Sequence, residues 1–322
     1  MIKRGVWLII SACFTLAGCA GGGKEAPAAS VAPAPLSPAP TDPTIYKSIS
    51  AGMKAGKLVY EGPSVEFNYT RNGRQTTVGP DQNGIATITM NYGVDGVGTS
   101  SSLGAQLASS FSWNSGSEIY PLMSLDKPNS DKSSLIFSAD GKAAIIIVNP
   151  NSKAHSFDYQ VFGVWETGIN ASSGSMGAAT FGSETNAAFV PTIGTASFIG
   201  TALGGSKDTV GNHYDTQADA SLAVDFGART VQLATSNTWK RGGSLPPDAN
   251  QVPDSNLNLK GNLVYSAGTN MFSGNIKTAG GLPGTAAGRF YGPAATEIGG
   301  TFIAKATTGV ETFIGAFGAK KQ

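Results

Sequence analysis

The sequence predicts an all-β protein, and three observations carry that expectation. Hydrophobic and polar residues alternate at a period of two over much of the chain after Lys57, as in Val65, Phe67 and Tyr69. That is the pattern of a strand with one buried face. Charged residues make up 13% of the 322 and glycines number 43, against about 25% charge and about 7% glycine in an ordinary domain. Turn signals separate the alternating runs, among them Asn72-Gly73, Asn83-Gly84 and Asp140-Gly141, each a hairpin dipeptide.

The first residues read as a secretory signal, with Lys3 and Arg4 ahead of an apolar run from Val6 to Leu16. That run falls short of the roughly 20 residues needed to span a bilayer. It ends Leu16-Ala17-Gly18-Cys19, which resembles the lipobox of bacterial lipoproteins. The resemblance implies that residues 1–18 are a signal peptide and that Cys19 is the acylated first residue of the mature chain. More than one acyl chain holds a protein stably without a span. The expected location is the bacterial outer membrane, lipid-anchored, since Ala20 after the cysteine resembles lipoprotein sorting signals compatible with that address; either face of that membrane, the cell surface included, fits the sequence. Residues 19–44 form the acylated cysteine and a disordered Pro/Ala tether, with Pro27, Pro33, Pro35, Pro38, Pro40 and Pro43 interleaved with alanine and serine. At about 3.1 Å per residue such a segment reaches roughly 75 Å. Cys13 leaves with the signal, so the mature chain has no disulfide to form. Losing Lys3 and Arg4 takes the net charge from +1 to 1 − 2 = −1; with no basic block, nucleic acid is not an expected partner.

Residues 45–189 read as a β-rich handle region. Its runs are the Val65–Tyr69 alternation, Ile85–Met90, Leu135–Phe137, Ala143–Val148 and Tyr159–Trp165, which closes the region. The stretch Gly93–Ser117 is Gly/Ser-rich and reads as loop, with one short helical turn over Ser102–Ser110. Residues 190–322 carry eight strand candidates: Ala196–Ala202, Ser221–Phe226, Thr230–Thr235, Asn256–Tyr265, Asn270–Thr278, Ala286–Tyr291, Glu297–Lys305 and Glu311–Gly318. Eight short antiparallel strands make a closed barrel filled by its own side chains. Glycines within them (Gly200, Gly261, Gly274, Gly300, Gly315) are expected at bends or bulges. Polar outward positions and the ending Gly318-Ala319-Lys320-Lys321-Gln322 favour a soluble barrel over a membrane one. The predicted fold is thus a soluble eight-stranded antiparallel β-barrel preceded by a β-rich handle.

The run Arg289-Phe290-Tyr291-Gly292-Pro293-Ala294-Ala295-Thr296-Glu297-Ile298-Gly299-Gly300-Thr301-Phe302 resembles a signature of the transferrin-binding protein B family of surface lipoproteins. Val224-Asp225-Phe226-Gly227, Phe162-Gly163-Val164-Trp165 and the closing Phe313–Lys321 run resemble further strands of that family. The resemblance implies one lobe, a handle plus a barrel, where transferrin-binding protein B itself has two. It also implies a binding protein whose ligand is an iron- or haem-carrier protein of a host or the environment, passed to a TonB-dependent outer-membrane receptor. The signature residues read as fold-specifying: Phe290 and Phe302 plug a barrel end, and Glu297 accepts hydrogen bonds from free N–H groups of a turn.

Catalysis finds no motif. The two histidines, His155 and His213, stand at unrelated spacing, and no Cys ligand, Gly-x-Ser-x-Gly elbow or phosphate loop occurs. The chain is therefore not expected to be an enzyme. Candidate ligand contacts are His213 and Tyr214, in the polar loop Lys207–Thr216, and His155, in Asn149–Ser156. A His or Tyr there suits haem iron, which makes haem the one cofactor to weigh against none. Trp113, Trp165 and Trp239 are candidate interface anchors. Trp165 fits the core better, and Trp239, ahead of Lys240-Arg241, fits an exposed loop contact. The alternative functions are a haem or small-molecule binder and a host-interaction or structural lipoprotein without an iron role.

Overall fold

The computed structural model of the chain describes residues 41–72, 75–92, 106–113, 116–120, 133–138, 140–148, 150, 155–242, 251–308 and 310–322. Cys19, the signal peptide, the tether up to residue 40 and the glycine-rich stretch 93–105 lie outside the described residues.

Eight antiparallel strands make the handle sheet: β1 (Lys57–Asn72), β2 (Gln75–Tyr92), β3 (Gln106–Trp113), β4 (Gly116–Tyr120), β5 (Ser133–Phe137), β6 (Ala143–Val148), β7 (Gln160–Thr167) and β8 (Ser173–Gly182). Their order is β4-β3-β2-β1-β8-β7-β6-β5. The sheet curls on itself. Phe111 and Trp113 of β3 lie 5.0 and 5.6 Å from the Trp165 ring of β7, although three strands separate them in the sheet. Trp113 and Trp165 are therefore core residues, and Trp113 is not the interface anchor expected of it. The short helix α1 (Ile49–Lys54) packs on β1.

The second sheet holds β9 (Thr195–Lys207), β10 (His213–Asp225), β11 (Thr230–Gly242), the two-residue β12 (Val252–Pro253), β13 (Leu259–Tyr265), β14 (Met271–Thr278), β15 (Pro283–Tyr291), β16 (Glu297–Lys305) and β17 (Thr312–Lys321). Pairing of β17 with β9 and of β10 with β11 closes eight of them into a barrel. All eight expected strands are present, and β9, β10 and β11 run longer than their alternation suggested. Phe198, Leu222, Val231, Leu263, Phe272, Phe290, Phe302 and Phe317 fill the interior. The outward positions of β11, β13 and β14 are the exposed Gln232, Lys260, Asn262, Asn275 and Lys277, the reverse of a lipid-facing band.

Strands β16 and β17 differ from these, since Glu297–Ala304 and Thr312–Ala319 are buried throughout. The handle covers their outer face. Glycine makes the approach possible: a Cβ on Gly318 would stand 2.3 Å from the Phe162 ring, and one on Gly299 2.1 Å from Gln160 Oε1. The strand glycines inside the barrel likewise make room for neighbours. A Cβ on Gly315 would meet the Phe302 ring at 2.3 Å. The expected bulges fall elsewhere: the register shift in the barrel lies between Gln217 and Asp219, opposite Asn237 at φ 53°.

A polar clasp joins the two sheets. Glu297 is fully buried and accepts the N–H groups of Asp158 (2.7 Å) and Tyr159 (3.2 Å), just before β7. Gln160 Nε2 donates to the carbonyls of Ile298 (3.1 Å) and Ala319 (3.3 Å). The chain enters the folded body at this end of the barrel. Asn186 Nδ2 donates to Thr44 Oγ1 at 3.0 Å, and the Lys47 N–H donates to Ser183 Oγ at 2.9 Å. Residues 185–194 then cross the barrel opening from the Phe290 carbonyl to Phe226, with Val190 buried in the core. The opposite, distal end carries the β9–β10 turn and the ends of β11 and β16.

Three expectations fail in the handle. Asn83-Gly84 is not a turn: it lies within β2, where Ser64 pairs with Gly84. Part of the Gly93–Ser117 stretch is the β3–β4 hairpin, so residues 106–110 are strand and not a helical turn. Strand β8 was not anticipated at all, because Ser-Gly-Ser-Met-Gly-Ala-Ala-Thr lacks large alternating residues. The hairpin at Asp140-Gly141 is present, with Gly141 at φ 70°.

Two outcomes follow for stability. Gly318→Val lowers the melting free energy by about 1–3 kcal/mol through overpacking against Phe162, measured by denaturant melts. Burial pushes the Glu297 carboxyl from its ordinary 4.5 up to about 7. The folded state therefore binds more protons than the unfolded one between those values, and stability from this group is full below pH 4.5 and lost as pH rises through 7. Glu297→Gln keeps an acceptor oxygen and flattens that slope in melts taken across the same window.

Candidate functional site

At the distal end, five strands of the two sheets bring ionisable side chains together between the handle and the barrel. Alternation aims them: Phe162, Val164 and Glu166 share the face of β7 that meets the barrel, and His213 and Asp215 share the outer face of β10. Glu166 is the centre. His213 Nδ1 lies 2.5 Å from Glu166 Oε2, Arg71 Nη2 3.1 Å from Oε1, and Lys207 Nζ 3.9 Å from Oε1. The Tyr69 hydroxyl donates to Oε1 at 2.9 Å. Beyond His213, Asp215 Oδ1 stands 3.7 Å from Nε2, and Asp215 Oδ2 pairs with Arg241 at 3.1 Å.

Burial alone would raise Glu166, but the His213 ring, the Lys207 ammonium and the Tyr69 hydroxyl hold it down to about 2. Lys207 is fully buried, and its Nζ has no hydrogen-bond partner among the described residues. Burial brings it down to about 8 against the pull of Glu166. It sits 4.3 Å above the Tyr69 ring, a cation–π contact that stabilises a desolvated ammonium. Burial and Glu166 push the Tyr69 hydroxyl up. A narrow cleft of about 20 Å³, partly open to solvent, runs past this cluster. Leu135, Ile146, Val164 and Met176 give it apolar walls, and Glu166, His213 and Asp215 a polar end. Gly205 keeps it clear, since a Cβ there would lie 1.9 Å from Met176 Cε.

The candidate residues of the sequence fall at both ends of the molecule. His213 is not in a loop: it is the first residue of β10, and the turn before it is limited to residues 208–212. With Nδ1 held by Glu166, the nitrogen left facing the cleft is Nε2, buried and without a hydrogen bond among the described residues. Tyr214 is also in β10, donates to Asp208 Oδ2 at 3.1 Å and lies under Lys240 at 4.9 Å. Trp239 is half-buried in β11, opposite Gln217 and Pro253, and not in a loop. His155 lies apart from these three, before β7, stacked on Phe157 at 5.6 Å. Among the described residues no group of three or more His, Cys, Asp or Glu side chains could hold a metal ion.

Residues 190–321 match the family model described as the C-lobe and N-lobe beta barrels of Tf-binding protein B. Residues 190–321 thus form a barrel of the transferrin-binding protein B type. Similar solved structures include transferrin binding protein B of Haemophilus parasuis, 15% identical over 83% of this chain and 76% of that one, with a TM-score of 0.41. That of serogroup B Neisseria meningitidis is 12% identical over 83% and 77%, with a TM-score of 0.41. A surface lipoprotein is 10% identical over 81% and 98%, with a TM-score of 0.39. No curated protein matches the chain. The matched family is named for binding and not for catalysis.

The sequence reading missed Tyr69, Arg71, Glu166, Lys207, Asp215 and Arg241 as a group. The usable signal was Glu166, a carboxylate in register with Phe162 and Val164 after the apolar run Val161–Trp165. Glu166→Ala costs about 3–5 kcal/mol, because it strands Lys207 and His213 in the interior, whereas Lys207→Met costs less, because Glu166 keeps Tyr69, Arg71 and His213. Glu166 contributes stability above its ordinary 4.5 that is lost as pH falls toward 2. Acid melts of Glu166→Gln therefore lose that limb of the pH profile.

Proposed function

We propose that the chain is a lipid-anchored outer-membrane protein that binds and does not catalyse. Cys19 carries the acyl groups, residues 20–44 are the tether, with Thr44 at its end docked on Asn186, and the body divides into a handle at 45–189 and a barrel at 190–322. Its ligand is an iron- or haem-carrier protein, presented onward to a TonB-dependent receptor. The observation that carries this reading is the match of residues 190–321 to barrels of a transferrin-binding family. The position of the chain entry supports it. Thr44 and Lys47 dock at one end of the barrel, so the turns at 138–142, 168–172 and 208–212 project from the other. Loops on a rigid scaffold are where binding specificity resides, and Tyr214 and Trp239 stand at that distal end.

A second reading rests on one specific observation. A histidine whose Nδ1 is held by a carboxylate and whose Nε2 faces an apolar cleft has the arrangement of an oriented metal ligand, and His213 fits it. Haem or another small molecule is the ligand on that reading.

The deciding experiment sets the purified mature chain against immobilised transferrin and haemoglobin, and separately titrates it with haem. Saturable binding to one carrier, weakened at least tenfold by Trp239→Ala and unchanged by His155→Ala, is the expected result. A Soret shift lost in His213→Ala selects the haem reading instead. Absence of binding in every arm sinks both.

A further inference from the structure

The end of the barrel where the folded body begins exposes several aliphatic side chains. Ile45 is 92% exposed, Ile193 82%, Val264 60% and Met271 58%. Ile45 lies between Thr44 and Tyr46, both hydrogen-bonded to Asn186. Ile193 sits on the segment that crosses the barrel opening, and Val264 and Met271 flank the β13–β14 turn. Isolated exposed aliphatic residues are ordinary, but several on one end mark an interaction surface. Lys47, Arg229 and Lys321 are exposed on the same end with Asp225, while Arg289 there is paired with Glu184.

The length of chain ahead of this end limits what can cover it. Residues 20–41 are 22 positions between Cys19 and Asp42. Fully extended they reach at most about 70 Å. A surface that close is met at high effective concentration, so weak contacts suffice.

We infer that this end of the barrel rests on the lipid surface that holds the chain's own anchor. Ile45, Ile193, Val264 and Met271 enter the headgroup layer, and Arg229 and Lys321 meet lipid phosphates. Burying apolar side chains at that depth and adding basic contacts is how interfacial surfaces bind. The contact would fix the orientation of the barrel, whose 13-residue strand β9 lifts the distal rim roughly 30 Å off the membrane. This inference depends on the lipid-anchor reading of Cys19.

The mature chain has no cysteine other than Cys19, so a single introduced cysteine can be labelled. Ala267→Cys marks the entry end and Val210→Cys the distal end, both at exposed positions. The acylated full chain, taken from cells, is reconstituted into phosphatidylethanolamine–phosphatidylglycerol vesicles doped with a headgroup-nitroxide lipid. The label at Ala267→Cys is expected to be quenched severalfold more than that at Val210→Cys, and the difference to vanish on adding Ile193→Ser and Met271→Ser. Equal quenching at both sites, with acyl groups present on the N-terminal peptide by mass spectrometry, overturns this inference alone. An N-terminal peptide without acyl groups overturns the anchor reading and this inference with it.

Discussion

Burial of the β9–β17–β16 wall of the barrel against the handle is the constraint on which the rest of the structure depends. A barrel strand with one solvated face alternates, but β16 and β17 are buried on both faces and read as continuous small and apolar runs. Two sheets lie about 10 Å apart when ordinary side chains separate them. Here Gly299 and Gly318 remove the side chains on one side, so Gln160 and Phe162 sit directly on the barrel backbone. Close approach brings backbone polar groups out of water, and each must find a partner. Glu297 and Gln160 supply those partners, which explains a buried carboxylate inside a run of apolar and glycine residues.

The distal cluster follows from the same geometry. Once the handle is pressed on the barrel, the ends of β7, β9 and β10 are forced together, and the polar residues that would have been solvated at strand ends become enclosed. Glu166 then faces Lys207 and His213 across the joint, with Arg71 and Tyr69 from β1 closing the shell. Removing two charges from water costs several kcal/mol each, and their attraction offsets that only with good hydrogen bonding. Glu166 has that bonding and Lys207 does not, so the pair contributes to how the two sheets register more than to net stability. The two buried carboxyls respond oppositely to pH for a simple reason. Cations surround Glu166, whereas burial of Glu297 outweighs its two backbone N–H groups and the charge of Lys320.

How much of this was legible in the sequence depends on which face of each strand decides its character. The barrel strands β10, β11, β13 and β14 have one wet face, so Leu222/Val224 and Val231/Leu233 alternate with polar residues and announce themselves. Strand β8 has no wet face: its residues 176–181 are buried on both sides, against Gly205 and Tyr291 on one and Trp165 and Phe111 on the other. Close quarters on both faces select small residues, and small residues carry no period. The β3–β4 hairpin was hidden by its serines and glycines, though Phe111 and Trp113 are two apart and point inward. Asn83-Gly84 shows the opposite error, because a turn dipeptide is only permissive and β1 was long enough to pair straight through it.

The site was the least legible part, and sequence separation is the physical reason. Glu166 meets Arg71 and Tyr69 from 95 and 97 residues upstream, and Lys207 and His213 from beyond the intervening barrel strand. No local spacing encodes that meeting; only the handle–barrel contact creates it. His213 illustrates the consequence, since a histidine in a polar stretch of sequence reads as solvated. Here the same residue is a strand-end side chain aimed into a joint, with one nitrogen fixed by Glu166 and the other facing a cleft. Its chemistry is therefore set by a docking that the glycines of β16 and β17 make possible, far from its own position in the chain. A ligand entering the cleft would have to act on the joint between handle and barrel. A partner held by the distal turns touches the rims of both sheets and leaves that joint closed.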